Sequence, residues 1–556
     1  MTKTFLAVVL ILLTAFSAFA QNRIATLADR QVYGDYISPG DLIIDTPTRV
    51  ANGKRDVIYY FMGKQWPGLR EGATLWLDGE KLRELNEVKF CNTSKTMTPW
   101  QIESACFRNI PNTRVVANSF VCSGLKNFEL DGQSEVFPGL MSWPSTRKFL
   151  TGSFGFHVIG NILGGHCYTV NVRDGGTIRM NGFESQHGFS GVRLNGGKED
   201  VIVQSVSLTN FYIHDTGNGE GQYLGATQKP PFAKLKNLKI HNGIITRTAA
   251  EALQLQHLAG GADIHHITIF AADVRWMNEF MSGQDTGIQW VVDGGENKIH
   301  HVIIDGYGSI GLMPFGSGLN QAPGVSRVSR VLFSNGRDTG LYLHKSGSFG
   351  IHWFFDSIYF RGFNAPYYKE TGRPERKFYV SRKHGTDRMT FKNIFHDGTK
   401  EMVFQDTAGI EHSGNITEKR LPEPAYINNG FHEPANRIQQ WHPFYGEYFP
   451  VSRRDSVKVE APTQWDAGDI AIETIGEYAF YKCIKTHAAD KRRPRDNPFF
   501  VRLSWDEHGV RSDQPGWNES SKQSDLPPDD LRLQKGNYWK KLGFGFQEEL
   551  LSEPPQ

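Results

Sequence analysis

The sequence predicts an all-β fold, a right-handed parallel β-helix solenoid followed by a small C-terminal β-rich module. Two series of short apolar segments recur through residues 150–365, and both step by about 24 to 36 residues, which is a solenoid period. Within each unit the apolar residues alternate with a period of two, and Gly, Asn and Asp mark the turns. This pattern is typical of strands and not of helices. We therefore expect each coil to add one strand to each of several long parallel sheets.

The two series run in phase along the chain. The first series is Phe156-His157-Val158, Val192-Arg193-Leu194, Gln222-Tyr223-Leu224, Leu253-Gln254-Leu255, Ile288-Gln289-Trp290, Leu312-Met313-Pro314 and Leu341-Tyr342-Leu343. The second series is Val206-Ser207-Leu208, Leu238-Lys239-Ile240, Ile267-Thr268-Ile269, Val302-Ile303-Ile304, Val331-Leu332-Phe333 and Ile358-Tyr359-Phe360. A β-sandwich would require hairpin turns and antiparallel neighbours, so two series in phase favour stacked coils.

The N-terminus has the features of a secretory signal peptide at residues 1–20. A short polar start with one Lys precedes the apolar run from Phe5 to Phe16, and Ala18-Phe19-Ala20 fits a small-x-small cleavage site. No later stretch is apolar enough to span a membrane. We therefore expect a secreted or periplasmic protein without a membrane span.

Charge and cysteine content restrict the partners. The chain has 61 Lys and Arg against 59 Asp and Glu, a formal net charge of +2, whereas nucleic-acid binding requires a concentrated basic face. No nucleic-acid partner is expected.

Four of the five cysteines, Cys91, Cys106, Cys122 and Cys167, lie in the first third of the chain. The sequence leaves open whether two of them form a disulfide or all are small buried residues.

The chain divides into four segments by composition. Residues 1–20 are the signal peptide, 21–410 the β-helix domain, 411–456 a Pro-containing linker, and 457–545 a module rich in Trp, Tyr and charge. The module contains Trp465-Asp466-Ala467-Gly468-Asp469-Ile470, Gly476-Glu477-Tyr478-Ala479-Phe480-Tyr481-Lys482-Cys483 and Tyr538-Trp539-Lys540-Lys541-Leu542-Gly543. These motifs resemble the chitin- and cellulose-binding modules of carbohydrate-binding families 5 and 12. The resemblance implies that Trp465, Tyr481 and Trp539 contact a sugar.

The middle residues of the first series should point outward, because alternate side chains leave a strand on opposite faces. Stacked coils would align His157, Arg193, Tyr223, Gln254, Gln289, Met313 and Tyr342 in one outer row, with rungs about 4.8 Å apart. A second row two positions later includes Gln256 and His344. Aromatic rings stack on sugar faces and amides or Arg bind hydroxyls. The rows therefore predict a binding site for a polysaccharide, with Lys345 at its end.

Acidic residues concentrate beside this row. Glu220 and Glu251 occupy the same position in successive coils, and Asp215 and Asp285 lie in similar turns. If Glu220 and Glu251 face solvent, their carboxyl groups would lie about 5 Å apart, near the separation of a retaining glycosidase pair. The same acids would alternatively cap turns or bind a cation. Oxygen-rich turns suit Ca²⁺, which the sequence leaves open as a cofactor.

A second chemistry fits the same surface. In β-elimination a lyase neutralises a uronate carboxylate and removes the neighbouring proton with a Tyr, His, Lys or Arg. Candidate bases are Tyr223, His257, Tyr342 and His344, and Arg193 and Lys345 can neutralise charge. His265-His266 and His300-His301 stand at the same place in successive coils. We interpret these four histidines as stacked turn residues and not as metal ligands.

The layout of signal peptide, parallel β-helix and sugar-binding-like module resembles secreted carbohydrate-active enzymes of the pectate-lyase-like superfamily. The resemblance implies a glycoside hydrolase or a polysaccharide lyase. The motifs of polygalacturonase-type hydrolases and of chondroitinase-B-type lyases are not found, so no catalytic residue is taken from the resemblance. A noncatalytic glycan-binding adhesin would use the same outer rows. The sequence leaves open the polysaccharide and the choice between a monomer and a trimer.

Overall fold

A computed structural model describes residues 23–45, 57–60, 72–82, 85–91, 103–110, 113–132, 142–143, 147–148, 154–160, 165–194, 200–216, 219–225, 232–272, 286–308, 310–316, 323–336, 339–343, 350–362, 378–382, 388–399, 401–402, 410–412, 416–428, 438–442, 447–450, 464–473, 479–490, 492–504, 512, 517–524 and 530–552. The expected signal peptide, together with Asp285, His344 and Lys345, lies outside these residues. No helix of the described part is long and apolar enough to cross a membrane.

Most of the chain is a parallel β-helix, which confirms the predicted fold class. Its coils contribute strands to three columns. Column 1 consists of Val57–Tyr60, Leu85–Cys91, residues 117–123 and 168–172, Val192–Leu194, Gln222–Leu224, Leu253–Leu258, Thr286–Val292, Ile310–Gly316, Thr339–Leu343, Phe378–Arg382 and Glu401–Met402. Every one of these neighbours pairs in parallel.

Columns 2 and 3 are formed by long strands that bend from one column into the next. These strands are Val115–Asp131, Tyr168–Gln186, Ser205–His214, Leu238–Thr246, Ala262–Ala272, Gly295–Tyr307, Gly324–Ser334, Ile351–Arg361 and Arg388–His396. The first two of them also supply residues 117–123 and 168–172 of column 1. Shorter strands extend the two columns: Leu42–Ile44, Thr74–Leu77, Ser104–Asn109 and Ile410–His412 in column 2, and Phe156–Ile159 and Ile416–Glu418 in column 3. Val201–Val203 and Ala233–Leu235 pair beside column 1.

The bend between columns 2 and 3 has one residue per coil with a positive φ. From Gly182 onward these residues are Asn210, Asn242, His266, His301, Arg330, Ser357 and Asn393, with φ between 51° and 57° for the residues other than glycine. Asn tolerates this left-handed conformation better than most residues. Asn242 also donates its side-chain amide to Asn210 at 2.8 Å, and Asn210 donates to Asn181 at 2.8 Å. The side-chain amides at the bend therefore form a ladder of hydrogen bonds, and this ladder fixes the register of successive coils.

The interior of the solenoid is one continuous apolar core. It runs from Leu42 to Ile394 and includes stacked rings such as Phe183 and Phe211, whose centroids lie 5.5 Å apart. A fully buried Leu or Phe side chain contributes about 1.5–3 kcal/mol. Cys106, Cys122 and Cys167 are free thiols, as is Cys483. These four cysteines therefore form no disulfide, which is one of the two alternatives that the sequence leaves open.

Strands outside the three columns occur toward both ends of the chain. At the N-terminus, Arg23–Ile24 pairs antiparallel with Leu42–Ile44, next to the short helix Asp29–Tyr33. At the C-terminus a five-stranded sheet has the order Glu447–Pro450, Ile438–His442, Ile470–Glu473, Ala479–Cys483, Phe500–Arg502. The segment expected to be a linker, 411–456, therefore contributes two of the five strands. Smaller pairs are Ser142–Trp143 with Arg147–Lys148, Gln464–Trp465 with His487–Ala488, Trp517–Asn518 with Gln523–Ser524, and Tyr426–Asn428 with Asp530–Leu533.

The last described segment, residues 530–551, lies across the outside of column 3, and we call it the strap. It contains the short helix Tyr538–Lys541 and begins the 3-10 helix Glu548–Ser552; a second 3-10 helix, Pro494–Asp496, belongs to the small sheet region. Backbone amides of the strap donate to three successive coils: Gln547 to the Asn242 side chain, Phe546 to the Thr268 hydroxyl and Gly545 to the His301 carbonyl. The strap therefore covers one face of the solenoid instead of belonging to a separate module.

Candidate functional site

On column 1, the strand register aligns five residues of the predicted outer row. Arg193 pairs with Tyr223, Tyr223 with Gln254, Gln254 with Gln289, and Gln289 with Met313. Their neighbours Leu194, Leu224 and Leu255 lie in the core, so the row points outward by alternation. From here on, the outer row means Arg193, Tyr223, Gln254, Gln289, Met313 and Tyr342.

His157 does not belong to this row, and its placement there was wrong. It pairs with Glu184 and with Val116, which places it in column 3. The residue that stands beside Arg193 in the preceding coil is Thr169. The spacing from His157 to Arg193 is compatible with a solenoid period, but the strand Phe156–Ile159 belongs to another sheet.

The outer row is covered in this structure. Tyr223, Gln254 and Gln289 are only 8%, 3% and 7% exposed, and Arg193 is half-buried and donates to His166 at 2.9 Å. Gln254 donates to Gln289 Oε1 at 3.0 Å, and Gln256 donates to the same oxygen. At the far end Met313 and Tyr342 join Ile310 in an apolar cluster. The row therefore has an amide half, at Gln254 and Gln289, and an apolar half, at Met313 and Tyr342.

A His–Asp pair lies at the edge of the amide half. The strand Leu253–Leu258 shifts register between Leu255 and Leu258, and His257 has a φ of 56° within this bulge. Bulges re-aim side chains, and His257 Nδ1 comes to 3.3 Å from Asp293 Oδ1 while its ring packs against Phe232 at 4.7 Å. His257 and Asp293 are almost fully buried. His257 Nε2 and Asp293 Oδ2 have no hydrogen-bond partner among the residues that the structure describes.

The proposed carboxylate pair has the expected register but not the expected exposure. Gln222 pairs with Leu253, so Glu220 and Glu251 stand on adjacent rungs. Both side chains are fully buried. A glycosidase pair on this surface would have to face solvent, and these two carboxyl groups do not. Asp215 is also engaged: Arg247 donates to its two oxygens at 2.6 and 2.9 Å, and His214 Nδ1 lies 2.8 Å from Oδ2. The Asp215 carboxylate is therefore committed to an ion pair.

A second buried polar cluster lies on column 3, beyond the end of the strap. His157 Nε2 and His214 Nε2 lie 3.3 and 3.0 Å from Glu184 Oε1, and all three side chains are fully or almost fully buried. Burial lowers the pKa of His157 to about 4. Burial opposes ionisation of His214 as well, but hydrogen bonds to Asp215 and Glu184 raise its pKa above the ordinary value. Burial would raise the pKa of Glu184, yet the neighbouring His157 and His214 hold it below its usual range.

The histidines expected to stack do stack. The rings of His265 and His300 lie 4.9 Å apart at 7°, and those of His266 and His301 lie 5.0 Å apart at 8°. This arrangement confirms their interpretation as turn residues in register.

The three aromatic residues expected to bind sugar are packed inside the protein. Trp465 and Tyr481 belong to a small core with Phe500, and the Trp465 and Phe500 rings meet edge to face at 5.0 Å. Trp539 belongs to the strap and is fully buried, with its ring 5.1 Å from that of Tyr359. A sugar stacks on an exposed ring face, so these rings stabilise the fold and offer no platform in this structure.

Comparison with known proteins adds little to the site. No family model and no curated protein matches the sequence. A solved structure that is similar is the catalytic unit of a thermostable GH87 alpha-1,3-glucanase from Streptomyces thermodiastaticus strain HF3-3, with 12% sequence identity and a TM-score of 0.33. The similarity covers 62% of this chain and 63% of that chain. No residue role is transferred from that protein.

Sequence reasoning missed Asp293 and the Glu184–His214 contact. Asp293 follows the strand Thr286–Val292 and precedes Gly294-Gly295. In the sequence it is therefore indistinguishable from an ordinary turn residue, and nothing indicates its contact with His257. Glu184 and His214 end the long strands Tyr168–Gln186 and Ser205–His214. Alternation continued from the core residue Val206 would have placed His214 on the inner face, whereas the bend at Asn210 shifts the alternation and puts Phe211 and Ile213 in the core.

Proposed function

We propose that the protein is a polysaccharide-degrading enzyme that binds a glycan along the outer row and cleaves it at the His257–Asp293 pair. The observation that carries the proposal is that His257 Nε2 and Asp293 Oδ2 have no hydrogen-bond partner within the described part of the chain, although both side chains are almost fully buried beside the amide half of the row. A buried polar atom without a partner costs about 1–3 kcal/mol. A substrate hydroxyl or a reacting proton is the partner that we assign to these atoms.

The amide half supplies the recognition. Gln254 Oε1 also has no partner among the described residues, so it can accept a hydrogen bond from a sugar hydroxyl. Tyr223 stands on the preceding rung. Gln289 holds the Gln254 amide group by accepting from its Nε2, and Gln256 donates to the same Gln289 oxygen. Arg193, one rung further, can bind a carboxylate or hydroxyls in bidentate fashion.

The His257–Asp293 pair supplies the proton transfer. With Nδ1 directed at Asp293, the imidazole is held in the tautomer whose Nε2 is basic, which is the arrangement of a general base. In β-elimination, Nε2 takes the C5 proton of a uronate residue, the C–H electron pair forms the C4–C5 double bond, and the C4–O bond breaks as the leaving oxygen takes a proton from water. In hydrolysis, Nε2 takes a proton from the attacking water, the water oxygen bonds to the anomeric carbon, and the glycosidic C–O bond breaks as the leaving oxygen takes a proton from a second water.

A panel of neutral and uronate-containing polysaccharides tests the proposal. The protein without residues 1–20 is incubated with each polymer, and reducing ends are followed together with the ultraviolet absorbance of an unsaturated uronate. New reducing ends with that absorbance indicate a lyase, and reducing ends without it indicate a hydrolase. Binding without any product would contradict the enzyme and indicate an adhesin.

Variants locate the reaction. On the polymer that is cleaved, His257→Gln and Asp293→Asn should each lower kcat by about 100-fold or more, the lower end of the range for a positioned acid–base group. His241→Gln is the matched control, because His241 stacks with His265 on column 2 and should retain full activity. Wild-type kcat in His257→Gln would show that the site lies elsewhere.

A further inference from the structure

The histidine and carboxylate side chains on column 3 converge on one point. His157, Glu184 and His214 each offer one ligand atom, and these atoms lie within 4.8 Å of one another. They come from three successive coils, because His157 lies on Phe156–Ile159, Glu184 on Tyr168–Gln186 and His214 on Ser205–His214. Two imidazole nitrogens and one carboxylate oxygen are a common zinc donor set.

A fourth possible donor atom, an oxygen, lies next to His157. Gln186 Oε1 is 3.2 Å from His157 Nε2. The orientation of this amide is fixed from its other end, because Gln186 Nε2 lies 2.9 Å from His187 Nε2. The His187 ring in turn packs against Phe480 of the small sheet at 5.4 Å. The carbonyl oxygen of Gln186 is therefore held toward the three other donor atoms.

The surroundings of His214 are those of a metal-bound imidazole. A ligating histidine usually donates its second ring N–H to a carboxylate, which fixes its tautomer and orientation. His214 Nδ1 lies 2.8 Å from Asp215 Oδ2, and Arg247 holds Asp215 through two hydrogen bonds. These contacts direct His214 Nε2 at Glu184 Oε1, 3.0 Å away.

We propose that His157, Glu184 and His214, with Gln186 Oε1 as a fourth donor, bind one divalent transition-metal ion such as Zn²⁺. The ion takes the place of the proton between His214 Nε2 and Glu184 Oε1. Because its ligands come from three coils, it links these coils and stabilises the N-terminal part of the solenoid. The site lies on column 3, whereas the proposed cleavage site is on column 1, so the two proposals fail independently.

Zinc binding to the chelator-treated full chain tests the site. Calorimetric titration with ZnCl₂ should show one tight site per chain, and the midpoint of thermal unfolding should rise by several degrees with saturating zinc, since a ligand bound only to the folded state stabilises it. Co²⁺ in place of zinc should give the visible absorption of a four-coordinate site with nitrogen and oxygen donors. A wild-type chain that binds no zinc would overturn the proposal.

Three variants and one control separate this site from surface histidines. Glu184→Gln and His214→Gln should abolish the tight site, and Asp215→Asn should weaken zinc binding by about 10- to 100-fold, the range for outer-shell partners. Asp215 is a partner of His214 and not a metal ligand, so Asp215→Asn still tests the site if a ligand variant fails to fold. His300→Gln is the control, because His300 belongs to the partly buried stack with His265 on column 2, away from the proposed ligands. Loss of zinc binding in His300→Gln with retention in Glu184→Gln would overturn the assignment.

Discussion

Tyr426 donates its phenolic hydroxyl to Asp305 Oδ2 at 2.9 Å. Asp305 lies on column 3 and Tyr426 in the strand that pairs with the start of the strap. Asn335 donates to the other carboxylate oxygen at 2.8 Å. A single buried carboxylate therefore joins the solenoid to the segment that covers it.

The Asp305 contact should make the stability of the covered face depend on pH. Burial raises the pKa of Asp305 to about 6, although the hydrogen bonds from Tyr426 and Asn335 oppose that shift. Because the folded pKa lies above the ordinary value of 3.8, the stabilisation is complete below about pH 4 and is lost as the pH rises through 6. Asp305→Asn should remove this dependence, which thermal unfolding from pH 4 to 8 measures. Parallel pH profiles for wild type and Asp305→Asn would contradict it.

The stacked histidines should act in the opposite direction. Burial lowers the pKa of His265 to about 3 and those of His266 and His301 to about 4. Their neutral forms stabilise the folded state above the ordinary pKa of 6.5, and this contribution is lost as the pH falls from 6.5 toward 4.

The strap should report this loss first. Its Gly545 amide donates to the His301 carbonyl, and Phe544 meets the His301 ring at 6.0 Å. Hydrogen exchange of residues 543–547 should therefore accelerate between pH 6.5 and 4, relative to the intrinsic rate. His301→Asn should suppress the acceleration, because Asn does not titrate and accepts the positive φ at this bend. An acceleration equal in both proteins would exclude His301 as its cause.

The parts of the structure that follow local alternation could be predicted from the sequence. Val192-Arg193-Leu194 and its repeats alternate inward and outward with a period of two, so the outer row followed directly. His257 and Asp293 could not be paired, because the bulge before Leu258 changes the register by which coils are aligned. The burial of Trp539 depends on Tyr359 and on the carbonyl of Pro422, to which its indole donates at 2.9 Å. Such contacts between distant segments leave no local pattern.

Gly243 should be intolerant of even a methyl group. Phe183, Phe211 and Gly243 occupy the same core position in successive coils, and a Cβ on Gly243 would overlap the Phe211 ring. Gly243→Ala should destabilise the protein by about 1–3 kcal/mol through overpacking, measured by urea unfolding. Gly165→Ala is the control, because a Cβ there meets no atom within 4 Å. The double variant Gly243→Ala/Phe211→Leu should recover part of the loss.

Gln289 should contribute to glycan binding if the outer row is the binding site. Gln289 Oε1 accepts hydrogen bonds from Gln254 and Gln256. Replacing Gln289 therefore removes the acceptor that orients both of these amide groups. Gln289→Leu should raise the Kd for the cognate polymer about 10-fold, equivalent to about 1.4 kcal/mol. Lys239→Gln on column 2 should bind like wild type. Equal affinity of Gln289→Leu and wild type, by affinity electrophoresis or calorimetry, would remove the amide half from the binding site.

Gln222 should be replaceable by an apolar residue with a gain in stability. It pairs with Val192 on one side and Leu253 on the other, and both of these side chains lie in the core. Gln222 is fully buried, and neither its amide nitrogen nor its amide oxygen has a hydrogen-bond partner among the described residues. An unsatisfied buried polar group costs about 1–3 kcal/mol, and Leu has a similar volume.

Gln222→Leu should therefore raise the free energy of unfolding by about 1 kcal/mol or more, measured by urea unfolding at neutral pH. Gln204→Leu provides the matched control, because Gln204 is exposed and its replacement should change stability by less than about 0.5 kcal/mol. A destabilised Gln222→Leu would mean that the amide makes a contact that the core requires, such as a bond to an internal water. In that case the neighbouring Val192 and Leu253 would line a polar site inside the solenoid.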